Sequence, residues 1–283
     1  MQRDQEFINA IIKNNFKKKL YHYTTNEGLL GIAKNKNLHL TEYQFLNDKD
    51  EIAYGSSVAR QETMNSLIEL YDLAIAEKDY NRKDIPFLKK ILERLKQNED
   101  NAKLGKIFIT CFSESGDSLS QWKGYSNFGE GFSIGFNMEK LIDENNDNLV
   151  FSRVIYRKKE QYSIIKKFLK LFVHLSKDEI NSEKLIFHSA RLLFIISCFF
   201  KSAAFSEEKE WRLLYFNDFL EKSNLDCKPG RFGIHLFYNY WFDIESVTEV
   251  FIGPKYEFVE NYISLKLLLN DKIKIKRPII RIK

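Results

Sequence analysis

Two separated segments of the chain carry the side chains best suited to chemistry. Residues 20–24 read Leu-Tyr-His-Tyr-Thr, and residues 207–212 read Glu-Glu-Lys-Glu-Trp-Arg. The first segment offers the imidazole of His22, and the second offers the carboxylates of Glu208 and Glu210. A carboxylate that faces a ribose stabilises the positive charge that develops when a glycosidic bond breaks. We therefore expect the two segments to form one active site.

Strand geometry predicts how the acidic segment presents its side chains. Successive side chains of a strand point to opposite faces, so an extended segment over residues 208–216 places Glu208, Glu210 and Arg212 on one face. Trp211 then lies on the opposite, buried face. An ordinary ladder of salt bridges has the same pattern. The segment alone leaves both a catalytic and a structural interpretation open.

Two segments in the middle of the chain suggest walls for a ligand site. Residues 131–137 alternate large apolar residues with small ones, and Ser133 lies on the small face. Such a face admits a ligand or the close packing of another element. Residues 118–126, predicted as a loop, carry Trp122 and Tyr125, which either wall a planar ring or belong to the core.

Acidic residues also raise the alternative of a metal site. Asp48 and Glu51 would join Glu208 and Glu210 in a metal-dependent nuclease. Residues 47–51, however, lack the glycine and the spacing of a calcium loop and favour a helix cap. The cysteines are odd in number and widely spaced, unlike those of a zinc site or a disulfide framework: Cys111, Cys198 and Cys227. The sequence therefore predicts no metal site and reduced cysteines.

Composition and charge limit the class of protein. The chain has 283 residues, 44% of them hydrophobic, which is enough to bury the core of a single domain over residues 1–283. Its 44 basic and 39 acidic side chains leave a formal charge of +5, which suits a polyanionic partner and is also ordinary for a globular domain. The chain start lacks the apolar stretch of a signal peptide, and the longest apolar run, residues 192–200, is too short to cross a membrane. We expect a cytoplasmic protein without a membrane segment.

Periodicity predicts a sheet that carries the two segments, together with helices that support it. Apolar residues at helical spacing predict an opening helix over residues 4–19, and Thr24 with Glu27 has the spacing of a capping box. Long helical patterns predict two insertions, at about 48–103 and 158–204. Lysines alternate with isoleucines near the chain end, which is typical of an exposed edge strand. Strands are predicted at residues 20–24, 37–41, 107–113, 131–137, 149–156, 208–216, 247–253 and 272–282.

Ordered motifs give the chain a resemblance to the bacterial domain-of-unknown-function family 2971. The resemblance covers about residues 20–255 and rests on Tyr21 to Thr24, Phe45 to Asp48 with Glu51, Cys111 to Ser113, Gln121 and Trp122 with Tyr125 and Gly131, Lys201 and Ser202, Glu208 to Arg212, and Ile252 with Gly253. The opening is also similar to the first motif of the ADP-ribosyltransferases that modify DNA or RNA. In that motif a His-aromatic-Thr triplet precedes a short helix, here His22-Tyr23-Thr24 and then Leu29-Leu30-Gly31-Ile32.

The resemblance to ADP-ribosyltransferases implies a fold and a set of site residues. The fold is α+β, with a split β-sheet core of mixed and antiparallel strands and with helical insertions. Glu208-Lys209-Glu210 has the Glu-x-Glu form of several of these enzymes, which implies that Glu210 is catalytic and that Glu208 orients or deprotonates the acceptor. NAD would be held by His22, Thr24, Ser133, Trp122, Tyr125 and Arg212.

The implied activity is the consumption of NAD by an ADP-ribosyltransferase or an NAD glycohydrolase, as in a bacterial toxin or a phage-defence effector. The implied partners are NAD, a nucleic-acid or protein acceptor, and an antitoxin or another defence protein. Two alternatives stay open: a non-catalytic module that senses nucleotides or binds nucleic acid, and the metal-dependent nuclease. A single cleft lined by His22, Ser133 and Glu210 would favour the NAD-consuming function.

Overall fold

The computed structural model describes residues 4–12, 16–46, 49–79, 82, 84–101, 104–143, 146–175, 182–217, 224–230, 233–269 and 271–281. These residues form an open ten-stranded sheet flanked by helices. One strand pair is parallel and the other pairs within the described ranges are antiparallel. The predicted α+β class with a mixed sheet is therefore confirmed.

The strands follow one another along the chain as β1 (Lys19–Thr24), β2 (Asn37–Glu42), β3 (Lys106–Ser113), β4 (Phe132–Asn137), β5 (Leu149–Arg153), β6 (Glu210–Asn217), β7 (Leu225–Gly230), β8 (Gly233–Trp241), β9 (Val247–Ile252) and β10 (Lys274–Lys276). The helices are α1 (Asp4–Ile12), α2 (Asn26–Asn35), α3 (Lys49–Glu77), α4 (Asp84–Asn101), α5 (Leu119–Tyr125), α6 (Met138–Leu141), α7 (Lys158–Leu175), α8 (Glu183–Ser197) and α9 (Phe258–Leu268). A short 3₁₀ helix, Ala203–Glu208, precedes β6.

Most predicted elements are present, and the differences are local. Residues 16–18, predicted as part of the opening helix, are not helical, and residues 118–126 contain the helix α5 instead of a loop. The cap of α2 is Thr25, not Thr24, because the Thr25 hydroxyl accepts a hydrogen bond from the backbone of Gly28. The last strand is shorter than predicted, and the β7–β8 hairpin and α9 were not predicted.

The strand β3 is the centre of the sheet. The strand order is β10-β9-β4-β1-β3-β2-β8-β7, and β6 pairs with β3 on its other edge and carries β5 beyond it. As its continuous apolar run predicts, β3 is buried on both faces. Ile107 and Ile109 join a core shared with α1, α3, α4, α7 and α8, whereas Phe108 and Phe112 join a second core that includes residues of α2 and α9.

The sheet is split where β1 and β2 diverge along one edge of β3. The strand β1 meets β3 at a single residue pair, Tyr21 with Ser113, and β2 meets β3 only near Ile109. On the opposite edge, β6 pairs with β3 along its whole length. The edge of β3 at Thr110 and Cys111 therefore faces a gap between two strands.

The helices of the two predicted insertions pack together on one face of the sheet. The contact between α3 and the end of α8 depends on Gly55. A Cβ atom at this position would lie 2.1 Å from the carbonyl oxygen of Ser197, so a larger residue would push the two helices apart. This packing places the residues that follow α8, including Cys198 and Lys201, against the sheet. None of the helices in the described ranges has the length and apolar character needed to span a membrane.

Candidate functional site

A cleft of about 310 Å³ opens in the split between β1 and β2. Ligand pockets in proteins range from about 300 to 1,000 Å³, so this cleft has room for part of a nucleotide. Five of the eight predicted site residues line it, and they come from both predicted segments and from α5: His22, Thr24, Tyr125, Glu210 and Arg212.

The split, and not a shared sheet face, brings the two segments together. Tyr21, Ser113 and Glu210 are partners in register across three strands, so their side chains share a face. In a continuous sheet His22 would therefore lie on the face opposite Glu210. Because the sheet is open beside Cys111, side chains that start on opposite faces reach the same cleft.

The imidazole of His22 spans part of the gap. Its Nδ1 lies 2.9 Å from the carbonyl oxygen of Cys111. A carbonyl only accepts hydrogen bonds, so Nδ1 carries the proton and Nε2 of the neutral ring is left as an acceptor. Burial lowers the pKa of His22, and the positive charge of Lys228 lowers it further against the opposing effect of the Cys111 carbonyl. The ring is therefore neutral near pH 7 and suited to accept a hydrogen bond from a ribose hydroxyl.

Thr24 is held at the mouth of the cleft by the start of α2. A Cβ atom on Gly28 would lie 1.9 Å from the Thr24 hydroxyl oxygen, so the close approach requires glycine. Because Thr25 caps the helix, the hydroxyl of Thr24 is not used for that purpose. It lines the cleft as a small hydrogen-bonding group.

Glu210 lies in a network of buried charges at the base of the cleft. Arg212 Nε donates to Glu210 Oε1 at 2.6 Å, and Arg212 Nη2 and Lys201 Nζ donate to Oε2 at 3.2 and 3.0 Å. Arg212 also donates to the carbonyl oxygen of Cys198 at 2.5 Å. The backbone N–H of Glu210 donates to the Tyr156 hydroxyl at 2.9 Å. The carboxylate is therefore fixed in position from several sides.

This network keeps Glu210 ionised. Burial by itself would raise the pKa of the carboxyl group, but the charge and the hydrogen bonds of Arg212, together with the charge of Lys201, outweigh burial and lower the pKa to about 2. An ionised carboxylate can stabilise a positive charge on a substrate. Arg212 therefore holds the Glu210 carboxylate in place.

Glu208 also contacts this network, but from the 3₁₀ helix before β6 and not from the strand position that the sequence predicted. It does not lie on β6, because Lys209 adopts a left-handed backbone conformation with φ of 45° and ends the 3₁₀ helix. The prediction that Glu208 and Glu210 alternate on one strand is therefore wrong. Instead, Lys201 Nζ lies 2.5 Å from Glu208 Oε2 and 3.0 Å from Glu210 Oε2, so one buried ammonium group joins the two carboxylates.

Ser133 and Trp122 lie away from the cleft, contrary to their predicted roles. Ser133 is paired in register with Tyr23, so its side chain shares the face of Tyr23 and not that of His22. Trp122 is fully buried, packs edge-on against Tyr23, and donates its indole N–H to Asp117 at 2.7 Å. Neither side chain is placed to contact a ligand in the cleft.

The structure adds cleft residues that sequence patterns did not single out. Lys228 belongs to the unpredicted β7–β8 hairpin. His39 lies in the predicted second strand and stacks on Phe237 with 4.0 Å between ring centroids. Asn37 is buried; its amide nitrogen donates to Asn239, while the Asn37 oxygen has no hydrogen-bond partner among the described residues. The sequence did indicate Lys201 in one way, because Lys201-Ser202 is one of the motifs on which the family resemblance rests.

The described residues provide no cluster of three or more side chains that could hold a metal ion. Asp48 of the nuclease hypothesis lies outside the described residues, as does Asn47 of the predicted cap. The carboxylates of Glu208 and Glu210 are bound to Lys201, as described above. The three cysteines form no disulfide bond with one another.

A comparison with protein families matches the part of the chain that contains the Glu210 side of the cleft. A model of the family described as protein of unknown function (DUF2971) matches residues 121–213. This region begins in α5 and ends in β6, and it contains Tyr125, Lys201, Glu210 and Arg212. No curated protein and no solved structure matches the chain. Over residues 121–213 the chain is thus similar to the family that its motifs indicated.

Proposed function

We propose that the protein consumes NAD, as an ADP-ribosyltransferase or an NAD glycohydrolase, and that the reaction takes place in the split-sheet cleft. The observation that carries the proposal is that His22 and Glu210, which are distant in sequence and start on opposite sheet faces, line one cleft. The divergence of β1 and β2 along β3 supports a split-sheet core of the ADP-ribosyltransferase kind. The argument rests on the site, since many activities share one fold.

The proposed reaction breaks the bond between the anomeric carbon of the ribose and the pyridinium nitrogen of NAD. The electron pair of that bond stays with nicotinamide, and positive charge develops on the ribose. An acceptor hydroxyl, amine or water then forms a bond to the anomeric carbon and releases a proton to water. The ionised carboxylate of Glu210 stabilises the charge in the transition state, because it is held in place before the reaction begins.

The other cleft residues bind and orient the substrate. The Nε2 atom of His22 accepts a hydrogen bond from the ribose, and the hydroxyl of Thr24 binds the nicotinamide amide. Tyr125, at the rim, packs against a ring of the substrate. Lys201 and Arg212 act as positioning residues that hold Glu210, and Glu208 acts through Lys201. A toxin or a phage-defence effector that uses NAD is the biological role included in this proposal.

Release of nicotinamide from labelled NAD tests the proposal directly. The wild-type protein is offered water, protein, DNA and RNA as acceptors, and Glu210→Gln is compared with it. We expect this variant to be slower by on the order of 10² to 10³, the loss typical of removing one preorganised electrostatic group. Glu245→Gln, which removes an exposed carboxylate paired with Lys140, is the matched control and keeps full activity. Absence of nicotinamide release with every acceptor, or equal rates for wild type and Glu210→Gln, would overturn the proposal.

A cleft-filling variant separates a local effect from loss of the fold. A Cβ atom at Gly31 meets nothing within 4 Å, and Gly31 lies inside α2 and lines the cleft. Gly31→Leu therefore fills the cleft without a clash at its Cβ atom. Replacing a helix-interior glycine also stabilises a helix by about 0.5–1 kcal/mol. We expect NAD binding to be lost while the free energy of unfolding stays constant or rises.

One observation favours a second candidate, a module that binds a nucleotide without cleaving it. Both carboxylate oxygens of Glu210 already accept hydrogen bonds from Arg212 or Lys201, which is also the arrangement of a structural ion-pair network. In that case NAD or a nucleic acid binds without nicotinamide release. Binding to a nucleic acid that depends steeply on salt and is unchanged by Glu210→Gln would favour this candidate.

A further inference from the structure

A second cavity continues outward from the cleft. This outer groove has a volume of about 660 Å³ and lies between the start of α2, α5 and the β7–β8 hairpin. Thr24, Glu27, Tyr125 and Lys228 line both the cleft and the groove. The two cavities therefore meet at these residues and form one path, with His22 and Glu210 at the inner part.

Lys228 is the cation at this junction. It lies in β7 with its ammonium group 5.5 Å from the centroid of the Phe237 ring. Among the described residues no carboxylate forms a salt bridge with it. Burial lowers the pKa of Lys228, and no carboxylate in the described ranges offsets this effect. A partly buried cation of this kind is stabilised when an anionic ligand supplies the missing charge.

The other junction residues leave room for such a ligand. Thr24 and Tyr125 are neutral, and both provide hydroxyl groups. The carboxylate of Glu27 accepts a hydrogen bond from Thr25, its partner in the helix cap. The two imidazoles nearby, His22 and His39, both have their pKa values lowered first by burial and then by Lys228, so they are neutral at pH 7.

We propose that Lys228 binds the pyrophosphate of an extended dinucleotide whose two nucleoside halves occupy the cleft and the outer groove. The reacting nucleoside lies in the cleft beside Glu210, and the other nucleoside lies in the groove, against Tyr125 and α5. The β7–β8 hairpin is thereby a substrate-binding element. This inference rests on the proposed function, and it adds the residue that recognises the phosphates and the place of the second nucleoside.

Binding of ADP-ribose to the intact 283-residue chain, measured by calorimetry, tests the role of Lys228. ADP-ribose carries the pyrophosphate and the adenosine but no nicotinamide. We expect Lys228→Gln to weaken its binding on the order of 10- to 100-fold, as for the loss of a charge-assisted hydrogen bond. Lys228→Arg keeps the cation and retains most of the affinity. The matched control is Lys274→Gln, which removes an exposed lysine from β10, the strand at the opposite end of the sheet.

A second variant tests the outer groove without touching Lys228. Gly124 lies in α5 and lines the groove, and a Cβ atom there meets nothing within 4 Å. Gly124→Trp therefore fills the groove. We expect ADP-ribose binding to weaken at least tenfold, whereas nicotinamide riboside, which has neither phosphate nor adenosine, binds to Gly124→Trp and to Lys228→Gln as it does to the wild type.

The outcomes distinguish this inference from the proposed function. If the wild type releases nicotinamide from NAD, but Lys228→Gln and Gly124→Trp bind ADP-ribose as tightly as the wild type does, the inference is overturned and the proposed function stands. If the wild type neither binds ADP-ribose nor releases nicotinamide, both are overturned. Equal thermal unfolding midpoints for the wild type and the variants show that any loss of binding is local.

Discussion

Replacing Arg212 by methionine should destabilise the protein in a pH-dependent way. The side chain of Arg212 is fully buried and binds both carboxylate oxygens of Glu210. Methionine has a similar length and no charge, so Arg212→Met leaves Glu210 buried with Lys201 as its remaining cation. A buried carboxylate that has lost most of its compensating charge costs free energy until it is protonated.

The lowered pKa of Glu210 sets the size of the stability that Arg212→Met should remove. A decrease in the pKa of Glu210 from 4.5 to about 2 corresponds to about 3 kcal/mol of stability at neutral pH, at ~1.36 kcal/mol for each pH unit. The charge of Arg212 is the largest favourable contribution to that decrease. We therefore expect Arg212→Met to lower the free energy of unfolding by about 3 kcal/mol at pH 7. For a chain of this size the corresponding fall in Tm is about 6 °C.

The sign of the pH dependence follows from the lowered pKa. The pKa of Glu210 is 4.5 in the unfolded chain and about 2 in the folded wild type. The stability that Glu210 contributes is therefore complete above pH 4.5 and is lost as the pH falls towards 2. The variant lacks most of this contribution. The difference in free energy of unfolding between the two proteins should therefore be largest at pH 7 and shrink below about pH 4.5. Urea unfolding of both proteins at a series of pH values measures this difference.

Arg94→Met is the matched control for this experiment. Arg94 forms a 2.7 Å ion pair with Glu183 between α4 and α8, but both side chains are exposed. Such pairs contribute about 0–1 kcal/mol, so this variant should lose little stability at any pH. The reasoning is refuted if Arg212→Met is no more destabilising than Arg94→Met, or if its effect is the same at pH 7 and at pH 4.

Two further predictions concern the cleft and its surroundings. Because burial lowers the pKa of His22 below 6.5, the decline of kcat/KM for NAD in acid, where the ring takes up a proton, should be centred below pH 6.5. A decline centred above pH 6.5 in the wild type and absent from His22→Asn would contradict this. Trp122→Phe removes the hydrogen bond to Asp117 and should cost about 1–3 kcal/mol of stability in urea unfolding, with KM for NAD unchanged because Trp122 lies outside the cleft. Tyr125→Ala should instead raise KM, and the opposite pattern would mean that Trp122 contacts the substrate.

Local patterns predicted the elements of this fold well. The apolar run of residues 107–113 predicted the strand β3, and helical spacing predicted the two insertions that became α3, α4, α7 and α8. These signals are reliable because periodicity depends only on neighbouring residues. The hairpin of β7 and β8 was missed because Lys228, Pro229 and Gly230 do not resemble a strand.

The sequence by itself singled out the two segments that line the cleft, because a histidine among apolar residues and a Glu-x-Glu sequence are visible without a fold. It also predicted the shared face of Glu210 and Arg212, since strand side chains alternate with a period of two. It misplaced Ser133, because the face that a residue occupies relative to another strand depends on register.

Only the tertiary structure decided that the segments meet. The meeting depends on β1 leaving β3 after one residue pair while β2 joins β3 further along, and these are pairings between residues distant in sequence. The packing of α8 against Gly55 likewise decides that Lys201 reaches Glu208 and Glu210. A cleft formed by a gap in hydrogen bonding has no local pattern, because the gap exists only once two strands, β1 and β2, pair with different parts of one edge of β3.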